Sequence, residues 1–342
     1  MQLIRQFTSK YPALRIYGLT LLVSLFACFA VGIKLGLAAF ITTIILAVLE
    51  ISLSFDNAVV NAKVLKTMSE WWRKIFLTIG ILIAVVGVRL LLPVLLVSIF
   101  AHIDFGTVVH LALNDSEKYG EMLHHIHPEI AAFGGIFLLM LFLDYIFGDR
   151  EILWLRHIEL PLIKLGRFKR LDVVIALLSL LGAVSLVDDA HASSMLISGI
   201  VGAVIYIVIK SVSDFFEHSR SIQNMAKAGL IGFIYLEVLD ASFSLDGVLG
   251  AFAITSDIVV IMVGLGIGAL WVRSMTLHLV QTDTLTRFRY LEHGAHYAIG
   301  VLAVLLLVSA SQEISELITG LVGFCIIIAA LVDSIRFNRR AA

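Results

Sequence analysis

Residues Glu50–Ala62 read EISLSFDNAVVNA and lie in one of the most apolar regions of the 342-residue chain. Two carboxylates, Glu50 and Asp56, and two amides, Asn57 and Asn61, interrupt the run. The chain as a whole is 60% hydrophobic and only 15% charged, with a mean hydropathy of +1.00. Apolar runs of roughly 20 residues recur along it, the length that spans a hydrocarbon core about 30 Å thick. The short alternating segments of a transmembrane β-barrel do not occur. The composition predicts an all-α polytopic membrane protein forming one transmembrane domain over residues 1–342.

Hydropathy predicts about ten spans, near 14–33, 36–62, 75–100, 131–148, 172–187, 194–212, 228–252, 257–279, 295–310 and 315–335. Basic residues fall in alternate loops: Arg5, Lys10 and Arg15; Lys63, Lys66, Arg73 and Lys74; Arg150 to Arg170; Arg220 and Lys227; Arg287 and Arg289; Arg336, Arg339 and Arg340. The intervening loops hold only Lys34 and Lys118. By the positive-inside rule both termini are expected in the cytoplasm. That leaves an external loop at 101–130 and a basic cytoplasmic segment at 149–171. The first apolar run lacks a convincing cleavage site and is expected to remain as an anchor. Cys28 and Cys325 are far apart and suggest neither a disulfide framework nor a thiolate cluster.

The opening stretch has a partner. DASFSLDGVLGA, beginning at Asp240, aligns without a gap, so that Glu50 falls on Asp240, Ser52 on Ser242, Ser54 on Ser244 and Asp56 on Asp246. Spans 2 and 7 carry these acidic-x-Ser-x-Ser-x-Asp segments and run in opposite directions. That pattern predicts an inverted-topology repeat, with cores at 36–148 and 228–310 and a substrate site near the midplane between them. Each motif span precedes an apolar span with one arginine, Arg89 or Arg273. Either arginine faces the acids and holds them ionised, or it snorkels to the headgroups.

Hard divalent cations take oxygen ligands, and the two motifs supply them. The candidates are Glu50, Ser54, Asp56, Asn57 and Asn61 from one half, and Asp240, Ser244, Asp246 and Glu237 from the other. Carboxylates buried without a cation cost several kcal/mol each or take up protons, so cation/proton exchange is the expected coupling. Glu50, Ser54, Asn57 and Asn61 share one helical stripe. Asp56 is rotated by about 120° from Glu50 and displaced by about 9 Å on an ideal helix. Either the helix breaks near Ser54–Asn57, or two positions lie along a path. The serines have a plainer role as interhelical hydrogen-bonding groups.

Other polar features are less specific. HHIHPE, His124 to Glu129, lies with His102, Asp104, His110, Asp115 and Glu121 in the expected external loop, where metal capture competes with simple solvation. Asp144 either joins the path or faces the interface near Asp149 and Arg150. EWWRKI reads as an interfacial anchor, and His293 and His296 sit at a helix start.

EISLSFDNA resembles the Glu-x-x-Leu-Ser-x-Asp-Asn signature of TerC-type membrane proteins, which belong with the LysE-like exporters. The second copy resembles that family's Asp-x-x-Phe-x-x-Asp motif. DGVLGAFAIT departs from the usual Asp-Ser-Ile-Pro-Ala and is closer to a branch whose domain has no assigned function. The resemblance covers mainly spans 2–4 and 7–9. It implies manganese export, or tellurium-linked stress resistance, from the bacterial cytoplasmic (inner) membrane. By position, Glu50, Asp56 and Asn57 match the first motif and Asp240 and Asp246 the second. Gly247 stands where the family carries Ser, which removes one oxygen ligand.

The leading expectation is a secondary exporter of a divalent cation, Mn²⁺ before Ca²⁺ or Mg²⁺, with no covalently bound cofactor. The alternatives are an exporter of a small cationic solute, and a membrane anchor docking cytoplasmic stress-resistance proteins through the basic segment. No nucleotide loop, HExxH motif or nucleophile elbow points to an enzyme, and no basic patch points to nucleic acid.

Overall fold

The computed structural model describes residues 12–217, 222–255, 257–312, 314 and 316–341. Every regular element among them is a helix. In chain order these are α1 (Pro12–Leu53), α2 (Phe55–Thr67) and α3 (Glu70–Leu82), which runs through a π-helical stretch (Ile83–Leu91) into α4 (Leu92–Phe100). Two short helices follow, α5 (Phe105–Asn114) and α6 (Ser116–His125), then α7 (His127–Phe147), α8 (Arg156–Leu165) and α9 (Leu171–Val184). The chain continues through α10 (Asp189–Glu217), α11 (Ile222–Ile254), α12 (Ile258–Gln281), α13 (Thr284–Arg287), α14 (Leu291–Ser309) and α15 (Glu316–Ala341).

Among the described residues, seven stretches are long and apolar enough to cross a membrane. They are Ile16–Ser52, Glu70–Phe100, His127–Phe147, Asp189–Val212, Ile258–Gln281, Leu291–Ser309 and Leu321–Arg340. The chain is a multi-pass membrane protein. The first stretch joins what hydropathy divides into two spans. It is broken at Gly36, whose φ of 91° and ψ of 177° a residue without Cβ reaches at no steric cost. The expected span at 172–187 is α9, whose 14 residues rise only about 21 Å. Residues 101–130 are largely helical. Asp104 and Asp115 cap α5 and α6 by accepting from the backbone N–H groups of Thr107 and Lys118. Two acids of the His-rich region are thereby occupied in helix starts.

α7 is the buried axis of the bundle, and small residues let its neighbours approach closely. Gly134 lies against the Ser242 carbonyl of α11, and Gly135 against Leu307 of α14. Gly202 of α10 sits on the Phe133 carbonyl. α12 runs along α1, joined by a Thr20–Ser274 hydroxyl pair at 2.6 Å and by Trp271 donating to Ser24 at 3.1 Å.

Loops from distant parts of the sequence meet at one end. Lys63 bonds Glu292 at 2.6 Å, Trp154 Nε1 donates to Asp333 at 3.1 Å, and Asn338 donates to the Arg287 carbonyl at 2.8 Å. Lys66 pairs with Asp283 there, and this donation, with that of Thr286, holds the Asp283 carboxyl below its ordinary range. The basic loops that follow expected spans 2, 4, 8 and 10 therefore share an end.

Packing at Gly202 gives a direct stability test. A Cβ there would lie 2.5 Å from a backbone oxygen that cannot rotate away, whereas one at Gly182 meets nothing within 4 Å. Gly202→Ala should cost about 1–3 kcal/mol through overpacking. Gly182→Ala should be neutral or gain up to about 1 kcal/mol through helix propensity. Thermal unfolding of the solubilised protein compares the two.

Candidate functional site

The first motif lies across the junction of α1 and α2. Ser54 has left the helical region, with φ −99° and ψ 17°. The backbone bonds from Ser54 N to Glu50 O (3.0 Å) and from Ala58 N to Ser54 O (3.2 Å) persist across it. The break is thus a one-residue kink, made without Gly or Pro. Asp56 enters the first turn of α2, where the helix dipole favours a negative group, and its Oδ1 accepts from Asn57 N at 2.8 Å. Asn57 reaches across to the second motif, donating from Nδ2 to Asp240 Oδ1 at 2.8 Å.

Around that link lies a cluster of buried charges. Glu50, Arg89, Glu237, Asp240 and Arg273 are each 9% exposed or less. Arg89 pairs with Glu50 and stands 3.8 Å from Asp240 Oδ2. Arg273 Nη2 lies 3.2 Å from Glu237 Oε1 and 3.9 Å from Asp240 Oδ2. Asp240 therefore touches both guanidinium groups, and Ser54 adds a hydroxyl donated to Glu50 at 3.1 Å.

Both arginines are also fixed to backbone. Arg89 sits in the π-helical stretch and donates to the Ala84 carbonyl at 2.8 Å. Such bulges free carbonyls from the regular ladder and recur at functional sites. Arg273 donates to the carbonyls of Phe76 (2.9 Å) and Gly80 (3.1 Å) and lies over the Phe76 ring. It faces the acids and does not snorkel.

Glycines make room for the acids. A Cβ at Gly80 would meet Glu237 Oε1 at 2.6 Å, and one at Gly247 would meet Glu50 Oε2 at 3.0 Å. Gly268 lies directly on the Glu50 stem. Of these, the sequence marks only Gly247; Gly80 and Gly268 are not singled out by it, although Gly268 stands five residues before Arg273 in the same helix.

The cluster also concentrates buried polar atoms without hydrogen-bond partners. They include Asn57 Oδ1, both side-chain atoms of Asn61, Glu237 Oε2, Asp240 Oδ2, Ser244 Oγ and Arg89 Nε. Ser52 and Ser242 instead bond back to their own helices, at Val48 O and Val238 O. Asp246 lies within α11, but its side chain falls outside the described residues. Among the described residues, no group of three or more His, Cys, Asp or Glu converges as a metal-holding set. Glu50, Glu237 and Asp240 are held by arginines, and Asp56 has turned to its own helix.

A cavity of about 1130 Å³ opens at the end of the bundle where the basic loops meet. It is lined by Val60 and Val64 of α2, which continue the helix from Asn57 and Asn61, and by Gly232 and Tyr235 of α11, just before Glu237. Asp144, paired to Lys210 at 3.0 Å, lines it with Tyr145, Tyr206, Glu292, His293 and His296. The two histidines are buried there. His296 stacks on Tyr145, and His293 bonds the Ile152 carbonyl at 2.9 Å.

Two further buried acids lay hidden in polar sequence. Glu129, within HHIHPE, is engaged by His191 at 3.0 Å and by the Ser194 hydroxyl. Glu159 is fully buried and accepts from the backbone N–H groups of Trp154 and Leu155. Glu159 lies in a basic stretch, and Glu129 belongs to a His-rich stretch although the apolar run of α7 begins at the next residue.

Residues 55–341 match the model of a family described as a protein of unknown function, DUF475. The chain belongs to that family. No curated protein matches the chain, and no solved structure does. In this DUF475 protein the matched region begins at Phe55, so Asp56, Asn57, Arg89, Asp240 and Arg273 lie within it while Glu50 and Ser54 precede it.

Because the charges neutralise one another, removing one should cost more than removing a pair. Arg89→Gln strands Glu50 and leaves Asp240 with Arg273 alone, and should destabilise the protein by about 3–5 kcal/mol. Adding Glu50→Gln should recover a large part of that loss. A double-mutant cycle on unfolding in detergent reads the coupling, and additive effects would contradict it.

Proposed function

We propose that this chain is a secondary transporter that exports a cation through the buried cluster between α1–α2, α11 and α12. The observation that carries this reading is the set of unpartnered oxygens beside Glu50, Glu237 and Asp240. Ionisable groups inside a membrane bundle are costly and characteristically belong to ion pathways. Three carboxylates facing two guanidinium groups leave one formal negative charge in excess, which suits a bound cation or proton.

The unpartnered donors are oxygens from amide, hydroxyl and carboxylate, with no thiolate or imidazole among them. That chemistry favours a hard divalent ion, Mn²⁺ before Ca²⁺ or Mg²⁺. The resemblance to TerC-type proteins points the same way. In this mechanism Arg89 and Arg273 act as tethered counter-ions, and cargo competes with them for Asp240 and its neighbours. Protons compete for the same carboxylates, which couples export to proton entry.

The helix arrangement supports a two-fold repeat between the halves. Gly264 of α12 packs on Leu46 and the Thr43 carbonyl, just before Glu50, while Gly80 of α3 packs on Glu237, just before Asp240. Each arginine-bearing helix thus crosses the opposite half's motif helix. With the break at Gly36 and with α9 and α11 included, we read ten helices, both termini on the cytoplasmic side, and the cavity as a cytoplasmic vestibule.

The cavity also favours a second reading, export of a small cationic organic solute. Its volume exceeds that of an ion cage, and Tyr145, Tyr206 and Tyr235 supply aromatic walls beside Asp144 and Glu292.

Flux into proteoliposomes across a pH gradient separates the readings. Mn²⁺ should move with wild type, and Asp240→Asn should slow it by about tenfold or more, the effect of losing one charged partner in a buried site. Unchanged Mn²⁺ flux in both Asp240→Asn and Glu50→Gln would place the path elsewhere. Transport of a cationic amino acid without metal flux would select the second reading.

A further inference from the structure

The basic segment 149–171 is built into the bundle. α8 is held by the fully buried Glu159, which accepts from the N–H groups of Trp154 and Leu155 and from the Tyr297 hydroxyl at 3.2 Å. Trp154 stacks on Tyr290 and donates to Asp333 of α15. Trp and Tyr gathered at one level in this way characterise the membrane–water boundary.

Outward from that anchor the helix is two-faced. Ile158 and Leu165, seven residues apart on one stripe, are 50% and 45% exposed, and Phe168 just beyond is 67% exposed. Of the exposed cations, Arg156 and Lys164 lie on the helix away from that stripe, and Arg167, Lys169 and Arg170 follow in the turn after it. Arg156, Lys164, Arg167, Lys169 and Arg170 make no ion pair with any described residue. A short helix with one apolar stripe, cations off that stripe and in the turn that follows, and an aromatic anchor lies in the interface, its apolar side among acyl chains.

We infer that α8 and the turn after it, residues 156–170, form an interfacial segment that captures anionic phospholipid headgroups. The occupant follows from charge complementarity: five unpaired cations in fifteen residues meet a phosphate-bearing surface, while Ile158, Leu165 and Phe168 meet its hydrocarbon. The inference needs only that the chain is a multi-pass membrane protein, and it stands apart from the transport reading.

The test uses the full chain reconstituted in nanodiscs of mixed phosphatidylglycerol and phosphatidylcholine, with retained lipids counted by native mass spectrometry. Wild type should retain phosphatidylglycerol preferentially, and the preference should weaken as salt is raised. The triple variant Arg167→Gln/Lys169→Gln/Arg170→Gln should lower it by roughly tenfold or more. Because those side chains are exposed, its unfolding temperature should match that of wild type. Ile158→Ser/Phe168→Ser, with every cation kept, should reduce retention of both lipids. Equal phosphatidylglycerol retention by wild type and the triple variant would overturn the inference. So would loss of a co-purifying cytoplasmic protein from the triple variant with lipid preference intact, which would make the segment a protein-docking site.

Discussion

Charge neutralisation in a buried interior constrains the centre of this protein. Glu50, Glu237 and Asp240 come from two helices far apart in sequence and are paired with Arg89 and Arg273, since a buried charge left without its partner is costly. Asp240 links the two arginines, and Asn57 links Asp240 to the first motif. The positions of α1, α2, α3, α11 and α12 are therefore coupled, since moving any one of them strands a charge. The same coupling makes the cluster responsive, because a cation or proton arriving at a carboxylate changes what the guanidinium groups must hold.

The surrounding packing serves that centre. Glycines at 80, 247 and 268 bring backbone onto the acidic side chains, and Arg89 donates to the Ala84 carbonyl within the π-helical stretch. α7, lined by glycines on two sides, holds α10, α11 and α14 close enough to wall the cavity below Asn57 and Asn61. At that end, surface pairs such as Lys63–Glu292 tie loops together but stabilise little individually. The fold thus divides into a strongly coupled middle and a more weakly bonded rim.

Much of this was legible in the sequence. Ionisable residues inside apolar runs, repeated with one register, marked both motifs, and the lone arginines had few partners other than those acids. The stripe from Glu50 also put Asn57 on the same helix face as the acid. The rest depended on tertiary context. The spacing of Glu50 and Asp56 offers a break near Ser54–Asn57 as one of two readings; Ser54 kinks there without Gly or Pro, and the kink turns Asp56 toward its own helix start. Glu237 sits three residues before Asp240 on the same face, yet only the approach of Arg273 makes it a member of the cluster. Glu129 and Glu159 lie in polar stretches that read as solvated, and their burial follows from how α10 and α14 pack. The helices α5 and α6 are short and capped by acids that resembled loop residues.

The central claim is that cargo competes with Arg89 and Arg273 for the carboxylates of the cluster. Infrared difference spectra of the purified protein, recorded as Mn²⁺ is added, report on this directly through the carboxylate stretching bands. Wild type should show a saturable shift in those bands as carboxylates exchange guanidinium for metal, and Asp240→Asn should lose most of it. Saturable Mn²⁺ binding with no carboxylate shift, or the same shift in Asp240→Asn and wild type, would contradict the account.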